Sequence, residues 1–396
     1  MAENVATPDP TPDPTPGQRA WSLGQRGARA LLIPALAIFT ALVIGAAIIW
    51  LTTGSLATAL AAYAGLLEGA LGSPRAIAGT LVRATPYAFT GLAVALAFKC
   101  GLFNIGAEGQ LALGALCAAG VGYAFRLPAL LHIPLAILAG IAGGFVWGAV
   151  PGLLKARSGA HEVITTIMMN YLALQIVQVL LSGAMKDPRT VAAQTPPLAP
   201  TSWLPMLIPA LQLHSGVLLA VLVAIAIWWF LGKTIWGFEL KTVGVNPAAA
   251  RYAGMPVARN VILALALSGG LAGLAGAVEV TGVALDVTRV TPDGTRYFGL
   301  GFSSGYGFDA IAVALLGRGN PFGVVAAALL FGGLRAGATK MQFDTQVPSE
   351  IISVIQGLIL LFVAAEVIIR RIYRVRATAD GAATPALTSG WGEKAA

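Results

Sequence analysis

From Leu31 to Leu51 the chain runs without one charged residue. As a helix rising 1.5 Å per residue, that stretch is about 30 Å long, the thickness of the hydrocarbon core of a bilayer. Further apolar runs follow over 81–98, 102–124, 133–154, 163–184, 216–232, 261–281, 306–317, 321–338 and 350–369. The expectation is an all-α fold, a polytopic transmembrane helical bundle of about ten spans. A basic start before the first run resembles a signal peptide, but the run exceeds the ~15 residues of a signal core, so it reads as an uncleaved first span. The runs at 306–317 and 321–338 are short, glycine-rich and separated by only a few residues, and read as a broken or re-entrant pair.

Composition agrees with a lipid solvent. Of the residues 57% are hydrophobic and 11% charged, against about 25% charged in soluble domains. The 48 glycines suit membrane helices, where small side chains let backbones pack closely. The net charge of +8 does not mark a nucleic-acid surface, because the basic residues sit at the ends of apolar runs and not in a patch with aromatics. With ten spans both termini share a side. Sixteen of the 25 lysines and arginines then fall on that side and nine on the other, Arg335 among the nine. The positive-inside rule places both termini in the cytoplasm of a multi-pass cell-membrane protein.

Three regions follow. Residues 1–28, with the repeat "TPDPTPDPTP", form a disordered cytoplasmic tail. Residues 29–376 form the transmembrane domain, with a cytoplasmic loop at 233–260, and residues 377–396 form a flexible tail. The larger outward segments are 185–215 and 283–305. The first, rich in proline and tryptophan, reads as a cap lying at the membrane surface. No loop is large enough for an ATPase or a solute-binding domain, so energy has to come from elsewhere.

Candidate chemistry is sparse. Cys100 and Cys117 lie roughly 25 Å apart on one helical segment, too far for a disulfide. The histidines His132, His161 and His214 have no metal-ligand spacing, so no metal site is expected. "HEVIT" starts like a zinc-protease helix, but Thr165 stands where the second histidine belongs. Gly301–Gly305 matches a nucleophile elbow in an outward loop with no strand before it. No complete phosphate-binding loop is present. The chain is expected to be no enzyme and to bind no cofactor, with ATP used by a partner.

Two sets of residues carry more than hydrophobicity. In the loop at 233–260, Asn246 is a good N-cap, Pro247 suits the first helical position and Gly254 suits a left-handed C-terminus. A helix of about two turns is marginal alone in water, so it docks, either on a partner or on the chain's own spans. The second set is polar residues inside apolar runs: Asn104, Glu108 and Gln110, then Glu162, Thr166 and Asn170 on one helical stripe, and Glu279. Asp309 is a further buried carboxylate candidate. An ionisable group at membrane depth costs about 3 kcal/mol and faces a cavity or a partner. These residues suit a translocation path and a structural hydrogen-bond network equally.

At "GLFNIGAEGQLALGAL" the chain resembles the permease family of bacterial importers for branched-chain amino acids, simple sugars and nucleosides. "FNIGAEGQ" with "EVITTIMMNYLAL" is most similar to the nucleoside-type branch, and "VGVNPAAARYAGMPVARN", "SGGLAGLAGAVEVTG" and "GFDAIAVALLGRGNPFG" extend the likeness over most of residues 80–325. The resemblance implies an ATP-binding-cassette importer. Its partners would be a cytoplasmic ATPase, a second permease subunit in a heterodimer, and an extracytoplasmic substrate-binding lipoprotein. It also implies that "NPAAARYAG" is the coupling helix, with Asn246, Ala250, Arg251 and Gly254 as contacts to the ATPase. The rival expectations are a sugar or branched-chain amino acid cargo, or a secondary transporter driven by intramembrane carboxylates.

Overall fold

The structure, a computed structural model, describes residues 16–282, 296–302 and 305–375. The described residues form fourteen helices: α1 (Pro16–Thr53), α2 (Leu56–Leu71), α3 (Pro74–Lys99), α4 (Ala107–Ala124), α5 (Ala129–Ser158), α6 (Glu162–Ser182), α7 (Gly216–Lys233), α8 (Ile235–Val245), α9 (Pro247–Tyr252), α10 (Val257–Gly282), α11 (Tyr306–Leu316), α12 (Pro321–Thr345), α13 (Glu350–Ala364) and α14 (Glu366–Ile372). A small antiparallel hairpin, β1 (Met206–Ile208) with β2 (Leu213–His214), is the one sheet among the described residues. Helix starts follow local chemistry. Ser55 and Ser73 accept hydrogen bonds from Thr58 N and Ala76 N, and Asn320 accepts from Phe322 N ahead of Pro321 at the first helical position.

Among the described residues, seven helices are long and apolar enough to cross a membrane: α1 from Leu32, α3, α5, α6, α7, α10 and α12. The pair α13–α14, bent by 87°, makes an eighth if it counts as one span. The expected ten differ from this for two reasons. Helix α4 opens with Glu108 and Gln110, and α11 has only 11 residues. Three boundaries are corrected as well. Helix α1 begins at Pro16, inside the segment assigned to the tail. Helix α2 was not expected, because its 16 residues fall short of a full span. Finally, α12 is an unbroken helix of 25 residues, so of the pair at 306–338 only α11 is short, and the sharp bend falls between α13 and α14.

Glycine sets the packing. Helices α3 and α10 form the centre, with 83% and 78% of their apolar windows buried, against 22% to 33% for α1, α5, α6 and α7. On α5, Gly140, Gly144 and Gly148 face Gly269 and Gly273 of α10; a Cβ at Gly144 would overlap the Gly269 carbonyl oxygen. On the outside of the bundle, Leu130, Val146, Ile164 and Val179 are exposed, as hydrocarbon-solvated helices require.

Helices α2 and α3 share one partner. Gly65 and Gly69 of α2 lie against Met341 and Gly337 of α12, whereas Thr80 and Ala84 of α3 lie against Gly333 and Gly332, and Gly91 against Val324. Both therefore run antiparallel to α12, one after the other, and Thr80 donates to the Ala70 carbonyl (2.7 Å) where they overlap. At the end away from α8 and α9, the segment after α6 closes the bundle. Ala199 N donates to Gly122 O, Leu204 N to Thr281 O and Thr195 N to Phe298 O. The first two bonds occupy carbonyls at the ends of α4 and α10 that a helix leaves open. The segment at 185–215 thus caps the bundle. Most of the outward segment at 283–305, the first part of the N-terminal tail and the tail at 377–396 lie outside the described residues.

Candidate functional site

Between α7 and α10 the chain leaves the bundle and makes two short helices. The Thr234 hydroxyl caps α8 by accepting from Gly237 N (3.0 Å). Asn246 ends α8 and starts α9. Its Oδ1 accepts from Ala248 N and Ala249 N at 3.0 Å each, its carbonyl takes Ala250 N, and Pro247 has no N–H to satisfy. Every free donor of the first turn is therefore accounted for. At the other end Gly254 adopts φ 78°, a left-handed conformation that glycine takes without strain. Gly254 N and Met255 N return to the carbonyls of Arg251 and Ala250.

Helix α9 lies on the chain's own body. Ala250 is fully buried against Cys100, Leu102, Leu240, Val243 and Val261. Ala250, expected as a contact to the ATPase, thus lies on the face that this short helix turns toward the chain's own body. Arg251, Tyr252 and Gly254 point outward, and Tyr252 is 97% exposed. Helix α8 is pinned to α10 by Glu239, which accepts from Arg259 (2.6 Å) and Asn260 (2.9 Å). The hydrogen bond from Asn260, followed by that from Arg259, holds the Glu239 carboxyl below the usual carboxylate range.

The polar residues expected on a path are all buried, and three of them, Asn104, Gln110 and Asn170, form one network. After Lys99 the chain is irregular until Ala107. Asn104 Nδ2 donates to Gln110 Oε1 (2.8 Å) and Ser268 Oγ (2.7 Å), while its Oδ1 takes Gly106 N (3.0 Å). From α6, Asn170 accepts from Gly109 N (2.8 Å) and donates to the Ile105 carbonyl (2.7 Å). Side chains thus satisfy a non-helical backbone that a bilayer would not tolerate exposed. The stripe on α6 divides. Glu162 pairs with Lys155 of α5 at 2.7 Å, and the Thr166 hydroxyl donates to the Glu162 carbonyl of its own helix (2.7 Å). Glu279 lies 11 residues beyond Ser268 on α10, about 16 Å along the helix, and is buried apart from this network.

Glu108 joins a second cluster. Its Oε2 accepts from Gly307 N (2.6 Å) in the first turn of α11, so the N-termini of α4 and α11 meet around one carboxylate. Both helix ends are partly positive, which compensates a buried anion. Gly307 is required here, since a Cβ would overlap the backbone of Glu108. Two residues on, Asp309 Oδ2 accepts from the Tyr87 hydroxyl (2.9 Å), and Arg335 Nη1 donates to the same hydroxyl (3.1 Å). Arg335 stands 3.8 Å from Asp309 and over the ring of Tyr306. Tyr87 and Tyr306 meet edge to face at 4.9 Å. Tyr87 is 13 residues from the start of α3 and 12 from its end, about 20 and 18 Å, so this cluster sits at mid-depth. Sequence reading named Glu108 and Asp309 but missed Tyr87 and Arg335. A signal existed for Arg335, a cation inside the run at 321–338; assigning it to the outward face was an error, since it lies within α12.

The model of the family described as branched-chain amino acid transport system / permease component matches residues 76–364. The guanosine ABC transporter permease protein NupP of Bacillus subtilis (strain 168) is 42% identical over 86% of this chain and 94% of its own length. The nucleoside ABC transporter permease protein NupB of Lactococcus lactis subsp. cremoris (strain MG1363) is 35% identical over 86% of this chain and 92% of its own. The glucose ABC transporter permease protein TsgB13 of Haloferax volcanii is 36% identical over 79% of this chain and 82% of its own. No solved structure matches. The chain belongs to the branched-chain amino acid transport system permease family, and it is a multi-pass plasma-membrane permease subunit of an ABC importer.

Proposed function

We propose that this subunit carries nucleosides into the cell. The observation that carries the reading is the relation to two nucleoside permeases, each over 86% of the chain. In this reading both termini and the α8–α9 face are cytoplasmic, and the chain crosses the bilayer ten times. The ten crossings are α1, α2 with α3 as one broken crossing, α4, α5, α6, α7, α10, α11, α12 and the bent α13–α14 pair. The basic residues around α8, α9 and α14 support this orientation.

A cytoplasmic ABC ATPase docks on α9, with Arg251, Tyr252 and Gly254 offered outward and Asn246, Pro247 and Ala250 holding the helix in place. A second permease subunit completes the path, and an extracytoplasmic lipoprotein receptor delivers cargo to the face capped by residues 185–215. ATP closes the ATPase dimer, which pushes α9 and the α10 base beneath it and opens the bundle outward; hydrolysis resets it. The chain itself hydrolyses nothing and needs no cofactor. Asn104, Gln110 and Asn170 hold the broken start of α4 on the wall of the path, and Glu108 holds α11 to it. Glu162 and Thr166 brace the cytoplasmic end, and Glu279 braces the outer end.

The glucose permease among the relatives supports a second reading, a simple-sugar cargo. Uptake of radiolabelled guanosine by cells lacking this gene, and by cells with it restored, separates the two. Gene-dependent uptake that unlabelled adenosine reduces and glucose leaves intact supports nucleosides. Gene-dependent uptake of glucose alone overturns them.

A further inference from the structure

Asp309 and Arg335 stand at mid-depth, yet their side chains remain 27% and 24% exposed. Phe308 beside them is 47% exposed. Among the described residues, the one hydrogen bond of Arg335 is that from Nη1 to Tyr87, and Asp309 accepts from Tyr87 through Oδ2 alone. A guanidinium has five N–H donors and a carboxylate about four acceptor positions, so Tyr87 takes up only a small part of the capacity of either group. Such groups do not face hydrocarbon, where each costs about 3 kcal/mol at the bilayer centre. The face they occupy looks onto water. Glu108 and Asn104 differ in this respect, being closed off by protein on all sides.

We propose that the face of α11 and α12 bearing Phe308, Asp309 and Arg335 lines the translocation path, and that Asp309 and Arg335 contact the cargo through a paired donor and acceptor edge of a nucleobase. The inference rests on the nucleoside reading and names the residues that meet the cargo. The carboxylate accepts from a ring N–H or exocyclic amine, and the guanidinium donates to a neighbouring carbonyl or ring nitrogen. The exposed ring of Phe308 offers flat apolar surface to the base, and the buried ring of Tyr306 lies beneath the guanidinium. Tyr87 positions both charged groups by bridging them with its hydroxyl. The pair is neutral as a unit and suits a neutral polar solute passing through, not an ion that would be held.

The test uses the complete transporter in cells, with Cys100→Ala and Cys117→Ala as background and a membrane-impermeant, charged thiol reagent as probe. Phe308→Cys is expected to label and to lose most of that labelling when guanosine is present. Val146→Cys, on the lipid-facing side of α5, is expected not to label. Adding Asp309→Asn or Arg335→Gln to Phe308→Cys should abolish the protection by guanosine while labelling itself persists. Phe308→Cys that labels no faster than Val146→Cys overturns the path assignment. Protection that survives both substitutions overturns the contact. Guanosine uptake by the unsubstituted transporter, measured in the same cells, reports separately on the nucleoside reading.

Discussion

Removing the cap of α9 should uncouple transport without unfolding the membrane domain. Asn246→Ala deletes the oxygen that accepts from Ala248 N and Ala249 N and leaves the rest of the first turn as it is. Loss of an N-cap costs about 1 kcal/mol, roughly fivefold in an equilibrium constant, given that 1.4 kcal/mol is tenfold. A helix of 6 residues has little intrinsic stability to absorb that loss. Tertiary contact through Ala250 supplies the remainder, so fivefold is the upper bound on the drop in the formed, docked helix. Asn246→Asp keeps the acceptor and adds a favourable charge at a helix N-terminus, so it should behave like the unsubstituted chain. The assay is ATP-driven uptake by the reconstituted complex, read beside the amount of ATPase that co-purifies. Asn246→Ala should lower uptake by up to about fivefold, and Asn246→Asp should restore it. Equal uptake by all three proteins would refute the reasoning that α9 must be formed to transmit force.

Other predictions test the packing and the polar core. Gly144→Ala places a Cβ on the Gly269 carbonyl and should cost about 1–3 kcal/mol by overpacking. Gly79→Ala, with open space around its Cβ, should be neutral or stabilising; thermal unfolding in detergent compares them. Asn170→Leu strands Gly109 N and the Ile105 carbonyl, at about 1–3 kcal/mol for each buried unpaired group, and should lower the same unfolding temperature more than Asn170→Asp, which keeps the acceptor. Burial, and then the charge of Arg296, push His214 down to about 4. Above pH 6.5 both folded and unfolded states are neutral there. Between 6.5 and about 4 only the unfolded state takes the proton, so stability falls by about 1.4 kcal/mol per pH unit. Melting followed from pH 7 to pH 5 should show that loss, and His214→Gln should reduce it; an unchanged acid slope in the variant would refute the assignment.

Local chemistry was legible in the sequence, and long-range pairing was not. Asn246, Pro247 and Gly254 announced α9 because capping is decided within a few residues. Apolar length located most crossings for the same reason. Helix α2 escaped because 16 residues with Glu68 among them do not fill a bilayer; it packs in series with α3 against α12 glycines far along the chain. The polar residues of the α4 start were visible as anomalies, but their task depends on Asn170 reaching Ile105 and Asn104 reaching Ser268. Tyr87 and Arg335 are 248 positions apart, and no local pattern joins them. Ala250 looked like a surface contact because sequence spacing does not tell which face of a two-turn helix the protein itself covers.

The central claim is that this chain is the membrane path of an importer powered by another protein's ATP hydrolysis. Guanosine accumulation in proteoliposomes holding this subunit, its partner permease and the ATPase, with receptor supplied on the outer face, tests it most directly. Accumulation is expected to require ATP and this subunit and to persist when an ionophore collapses all ion gradients. Accumulation that proceeds without ATP and vanishes with the ionophore would contradict it.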